Sequence, residues 1–336
     1  MKTLIAIFTL ATLISQASFA RNWDRIEIPG AVCGDGLPYA VFVSKKPASK
    51  NLIVEFMGGG ACWNFDTCYS FQFAAWMHPI IEVPFYSYLT SDVMFLSDHP
   101  FTNDSAIYMP YCTGDTFAGS HTANYSGFSA NHHGYRNVLT TFQYLAKKNI
   151  LNFPNTERLT VWGASAGAIG ALVHMKNLEP YFPKAKKVGI IDSAGLHFGV
   201  NFWKKFTPQQ VNDFTKAFAN AGLILNTNDG FIAQHMAPVF TNLKNWTLGI
   251  MQSTRDGVMS AGFGDISPEN HRKLVLSDKG IAAIAKPFAN ISVWYTDTDQ
   301  HTFLLKPDTT MEKNMYTGQT AMDFVNQTMT KSAYKK

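Results

Sequence analysis

The chain has 336 residues, 15% of them charged and 14% aromatic, enough to bury a large core as a single domain. Its formal charge is only +4, from 28 Lys and Arg against 24 Asp and Glu. The basic residues are scattered rather than striped, which argues against a nucleic-acid partner.

The first 20 residues read as a secretory signal: Lys2, an apolar run from Leu4 to Ile14, and Ser18-Phe19-Ala20 as a small-x-small cleavage site. That run is too short to span a bilayer, and no later stretch is long and apolar enough to form an integral membrane segment. Residue 21 is Arg rather than Cys, so no lipid anchor follows the cut. A secreted or periplasmic chain is expected, with residues 21–336 forming one domain. Four cysteines (Cys33, Cys62, Cys68 and Cys112) in an exported chain suggest two disulfides, with three possible pairings. Cys62 with Cys68 is favoured because it would staple the loop after a glycine triplet, which leaves Cys33 with Cys112. The spacings match no zinc pattern, and no metal or cofactor is expected.

Along the chain, short apolar β-branched runs alternate with helical patterns. This is the signature of an α/β fold with a mostly parallel, doubly wound sheet and helices on both faces. Strands are expected at 39–44, 52–56, 106–110, 159–162, 187–191, 248–252 and 291–295. A helix is expected over 131–148, where Val138, Phe142 and Leu145 share a face and Lys147 and Lys148 suit the C-terminus. Thr207-Pro208 opens another, with Val211, Phe214 and Phe218 on one side, and Ser267-Pro268-Glu269 opens a third. Residues 196–245 read as a helical cap inserted between two core strands.

The 159–162 strand runs into Gly163-Ala164-Ser165-Ala166-Gly167 and then into a helix-like stretch, the setting a G-x-S-x-G nucleophile elbow requires. The spacing of Gly163, Gly167 and Gly170 does not match a dinucleotide fingerprint. A serine hydroxyl needs a histidine to take its proton, and that histidine needs a carboxylate to fix its tautomer. Five histidines follow Ser165. His174 lies in the elbow helix, His235 in the cap, and His271 reads as a helix-surface residue, whereas His301 sits just past the last strand. His301 is therefore the expected base. Asp256, after the 248–252 strand, is the expected acid, with Asp192, Asp297 and Asp299 as rivals. Oxyanion donors are expected from the backbone of Ala166, Gly59 and Gly60, because glycines after the 52–56 strand let the backbone approach closely. Trp63, Phe65, Tyr69, Phe202 and Trp203 could line the acyl or alcohol pocket.

Five stretches together resemble the pectin acetylesterase family: Cys33 to Tyr39, Gly58 to Asn64 with Cys68, Tyr111 to Asp115, Gly163 to Gly167, and Thr254 to Val258 with Asp299-Gln300-His301. The resemblance implies an α/β-hydrolase fold and a Ser-Asp-His triad falling on Ser165, Asp256 and His301, with oxyanion donors at Gly59, Gly60 and Ala166. Plant and animal relatives carry a tryptophan after the glycines, whereas Ala61-Cys62-Trp63 stands here, so substrate does not transfer from either group. The expected activity is hydrolysis of a carboxylic ester through an acyl-enzyme, on an acetylated polysaccharide or an acyl ester. A lipase-like esterase of longer acyl chains and a non-catalytic binding protein on the same fold are the rival readings.

Overall fold

Largely apolar runs suit strands covered on both faces, and here they form the middle of one eight-stranded sheet. The computed structural model describes residues 21–70, 77–79 and 101–331. The expected signal segment lies outside the described residues. In chain order the strands are β1 (Asp24–Val32), β2 (Pro38–Ser44), β3 (Asn51–Phe56), β4 (Ser105–Met109), β5 (His121–Tyr125), β6 (Phe128–His132), β7 (Arg158–Ala164), β8 (Lys186–Asp192), β9 (Trp246–Ser253) and β10 (Ile291–Thr296). The helices are α1 (Phe65–Tyr69), α2 (Gly134–Lys147), α3 (Ala166–Leu178), α4 (Pro208–Ala221), α5 (Ala237–Asn242), α6 (Pro268–Val275), α7 (Ile281–Ala285) and α8 (Ala321–Thr330).

The sheet order is β1-β2-β4-β3-β7-β8-β9-β10. The β1–β2 and β2–β4 pairs are antiparallel, and every pair from β4–β3 to β9–β10 is parallel. All seven expected strands are present to within two residues at either end. Strand β1 and the β5–β6 hairpin were not expected. The hairpin corrects one boundary: Asn131 and His132 pair with Thr122 and His121, so the helix expected from residue 131 begins at Gly134.

Alternating side chains divide the core in two. On one face Val54, Leu159, Val161 and Ile191 pack with α2, α3 and the aromatics of residues 196–245. On the other, Ile53, Trp162, Ile190 and Trp294 pack with Phe303, Phe324 and Val325, the last two on α8. Helix α3 is buried on nearly every side, which explains its run of Ala, Gly, Leu and Val without an amphipathic stripe. Residues 196–245 link β8 to β9 and carry α4, α5 and two 3-10 turns. Thr207 caps α4 by accepting Gln210 N–H, and α4 packs on α3 through a face that includes Phe214 and Phe218. No helix among the described residues is long and apolar enough to cross a membrane.

Candidate active site

The site forms where β3, β7, β8, β9 and β10 end, the edge at which open α/β sheets place ligands. Ser165 stands alone between the last residue of β7 and the first of α3, at φ 57° and ψ −124°. A non-glycine residue there is strained, and crowding around the turn leaves it no alternative. A Cβ at Gly163 would lie 2.1 Å from Gly167 O, and one at Gly167 would lie 2.0 Å from Phe56 O. Both glycines of the motif are therefore demanded by backbone contact. Ser165 N–H donates to Asp192 O at 2.8 Å, tying the turn to the end of β8.

The glycine triplet follows β3 against this turn: a Cβ at Gly58 would meet Ala164 O at 2.8 Å and Ser165 Cβ at 3.4 Å. Gly60 has φ 75°, a left-handed conformation natural only to glycine. Its carbonyl accepts the Tyr111 hydroxyl at 2.9 Å, and that oxygen accepts Thr116 N–H at 2.7 Å. Ala166 opens α3, where an N–H has no partner within the helix and the helix dipole favours negative charge. Gly60, Ser165 and Ala166 line one cleft.

Asp256 follows β9 and is buried at 1% exposure. Its Oδ1 accepts Val258 and Met259 N–H at 3.0 and 2.9 Å, while its Oδ2 lies 2.8 Å from His301 Nδ1. That contact fixes the Nδ1–H tautomer and leaves Nε2 as the ring's acceptor. His301 follows β10 with 18% of its side chain exposed. Ser165 Oγ and His301 Nε2 make no hydrogen bond among the described residues.

The rival acids have other duties. Asp297 takes two hydrogen bonds from Arg272, at 2.9 and 3.2 Å, and one from Thr254 Oγ1. The Arg272 bonds hold its carboxyl below the usual range. Asp299 contributes its carbonyl to Gly257 N–H at 3.3 Å. Asp192, fully buried, accepts Phe303 and Leu304 N–H at 2.8 and 2.9 Å, two and three residues beyond His301. Burial raises its carboxyl to about 6 against those bonds. One expectation fails: His271 is buried rather than on the surface, at 1% exposure, with Nδ1 2.8 Å from Thr254 O.

A narrow cleft of about 40 Å³ opens beside Ser165, walled by Ile169, Phe198, Phe202, Phe206, Phe214, Met259 and Phe263. Of the five expected pocket aromatics only Phe202 lines it. Trp203 is buried behind, edge-on to Phe202. Trp63 packs edge-on against Phe206 and Phe263, with Lys205 Nζ 5.4 Å from its ring centroid. Phe65 and Tyr69 instead face Phe128, away from these walls. The other wall residues went unforeseen because most lie in loops and short turns that carry no periodic signal.

Both disulfides form as expected, Cys33–Cys112 and Cys62–Cys68. The two sulfurs of the second lie near His132 in a grouping that could resemble a metal site. Their bond to each other removes the thiolates a metal would need.

A model of the pectinacetylesterase family matches residues 12–220. Among curated proteins, palmitoleoyl-protein carboxylesterase NOTUM of Drosophila melanogaster is 27% identical over 170 residues, 47% of this chain and 24% of that protein. Pectin acetylesterase 11 of Arabidopsis thaliana is 30% identical over 171 residues, 49% of this chain and 42% of that one. The aligned stretches thus span less than half the length of these relatives. Two crystal forms of the Wnt deacylase Notum from Drosophila superpose with TM-scores of 0.61 and 0.58, at 17% and 18% identity, each over about nine-tenths of both chains. Those structures share the α/β-hydrolase fold described above, and this chain belongs to the pectinacetylesterase family.

Proposed function

We propose that the protein is a secreted serine carboxylic-ester hydrolase that works through an acyl-enzyme. Ser165 Oγ attacks the ester carbonyl while His301 Nε2 takes its proton, and Asp256 steadies the imidazolium. The tetrahedral oxyanion is received by the N–H groups of Ala166, Gly59 and Gly60, each such donor worth about 3–4 kcal/mol in the transition state. His301 then returns the proton to the leaving alcohol, and water cleaves the acyl-enzyme by the same route in reverse. The observation that carries the reading is the Asp256–His301 contact of 2.8 Å, at the same sheet rim as a serine raised on a φ 57° turn. The missing Ser165–His301 bond requires the imidazole to close on the hydroxyl as substrate binds, since catalytic hydrogen bonds commonly tighten in the Michaelis complex.

The wholly apolar lining of the cleft, five phenylalanines with Ile169 and Met259, favours an acyl group over a polar one, and each carbon beyond acetyl that it admits would meet apolar wall. Each further buried methylene adds about 0.8 kcal/mol, or roughly a fourfold gain in kcat/KM where it strengthens the transition state. Turnover of p-nitrophenyl acetate, butyrate and octanoate tests both points. Ser165→Ala is expected to lower kcat by at least about 10⁴-fold on every ester, and kcat/KM of the wild type is expected to rise with chain length. Retained turnover in Ser165→Ala removes the serine mechanism. A sharp preference for acetate returns the acyl specificity to a deacetylase.

A further inference from the structure

Among the non-glycine residues with left-handed backbones, three are tied into one hydrogen-bonded cluster: Ser165 (φ 57°), Ser193 (φ 61°) and Thr302 (φ 67°). A β-branched threonine is especially unfavourable there, and such conformations persist only where surrounding bonds over-determine them. The bonds that do so converge on two consecutive residues at the end of β8. Asp192 O accepts Ser165 N–H at 2.8 Å. Asp192 Oδ2 accepts Phe303 and Leu304 N–H, and Asp192 Oδ1 accepts the Ser193 hydroxyl at 2.9 Å. Ser193 Oγ in turn accepts Thr302 N–H at 3.1 Å, and Ser193 N–H is anchored on Met251 O at 2.8 Å in β9. Both residues are wholly inaccessible to solvent. One dipeptide therefore grips the serine turn with a backbone carbonyl and the segment after His301 with two side chains.

We propose that Asp192 and Ser193 are positioning residues that set the separation of Ser165 from His301, a role resting on the triad reading above. Neither needs to touch substrate. A buried carboxylate suits the task because it accepts several N–H groups at once, as a neutral side chain of the same size does less well. The cost of keeping a carboxyl there shows in its raised titration, to about 6. Purely structural packing would not require the same residue to bond both loops. A misplacement of about 1 Å between reacting groups can cost about 10²-fold in rate, so small changes in this clamp should register in turnover.

The test measures kcat, KM and thermal midpoint for Asp192→Asn and Ser193→Ala, with Ser165→Ala alongside. Asn can keep one oxygen on the Phe303 and Leu304 amides but turns an N–H₂ toward Ser193, whereas Ser193→Ala strands Thr302 N–H and takes one donor from Asp192 Oδ1. Asp192→Asn is expected to lower kcat by about 10²-fold and Ser193→Ala by about 10-fold, with KM within about twofold of wild type. If Asp192→Asn does not fold, Ser193→Ala decides alone. A lowered thermal midpoint with wild-type kcat in the folded protein would overturn the proposal, leaving the pair a structural bond only. Activity retained in Ser165→Ala would instead bring down the triad reading itself.

Discussion

Three histidines are held neutral by burial: His132 and His174 titrate near 4 and His197 near 3, all with desolvation as the leading cause. In the unfolded chain they would titrate near 6.5. Their contribution to stability is therefore complete above pH 6.5 and is lost as the pH falls through the folded values, about 3 kcal/mol for each. Asp115 and Asp192, raised by burial to about 6, act in the opposite sense. Their contribution is present below the unfolded value and is lost as the pH rises through about 6. The histidine shifts are larger in number and size, so these five groups together lose about 4 kcal/mol on acidification from pH 7 to 4. The thermal midpoint should accordingly drop over that range, and His174→Gln should flatten the drop, since a glutamine amide can still donate to Phe117 O as the imidazole does. An unchanged slope in that variant would contradict the assignment. At this scale motif and strand-end position single out Ser165, Asp256 and His301 as candidates in the sequence, and the Asp256–His301 contact is the part of that set the structure shows. It hid His271, whose place four residues before buried Val275 on α6 was the one available sign of an inward face.

The two disulfides act on different elements. Cys33–Cys112 spans 79 residues and joins the end of β1 to the loop after β4, whereas Cys62–Cys68 spans six and braces the segment after the glycines. Loop-closure entropy assigns about 4.5 kcal/mol to the first and about 2 kcal/mol to the second. The second is nevertheless closer to the chemistry: Cys62 N–H donates to Gly114 O at 2.9 Å, and its carbonyl accepts Gln210 Nε2 of α4 at 2.8 Å. Replacing Cys33 and Cys112 by serine should thus lower the unfolding midpoint more, and replacing Cys62 and Cys68 should lower kcat more. Denaturation curves and ester turnover on both double variants check this, and the reverse ranking would refute it. The central strands were legible because β3, β4, β7, β8 and β9 are buried along almost their whole length and read as largely apolar runs. Strand β1 was not, since Asp24–Val32 contains Pro29 and Gly30 and exposes more than half its residues at the sheet edge. The β5–β6 hairpin was missed because His121–Tyr125 and Phe128–His132 lack β-branched apolar residues altogether.

On the scale of the whole molecule, residues 165, 256 and 301 all lie at one rim because parallel strands deliver their C-terminal loops there. That placement follows from alternating strands and helices, so the fold and the candidates for the site could be read together. The shape of the acyl cleft could not: its walls come from α3, from residues 198–214 and from residues 259–263, segments whose meeting depends on tertiary packing rather than local pattern. The same holds for Asp192, whose sequence position made it a rival acid while its bonds make it a brace between two loops. The central claim is that this rim activates one particular hydroxyl. Labelling the folded protein with a fluorophosphonate, followed by peptide mass mapping, tests it most directly. The expected result is one adduct, on Ser165, forming at least about 10³-fold more slowly in His301→Ala. An unreacted chain, or an adduct on another serine with Ser165 unmodified, would contradict it.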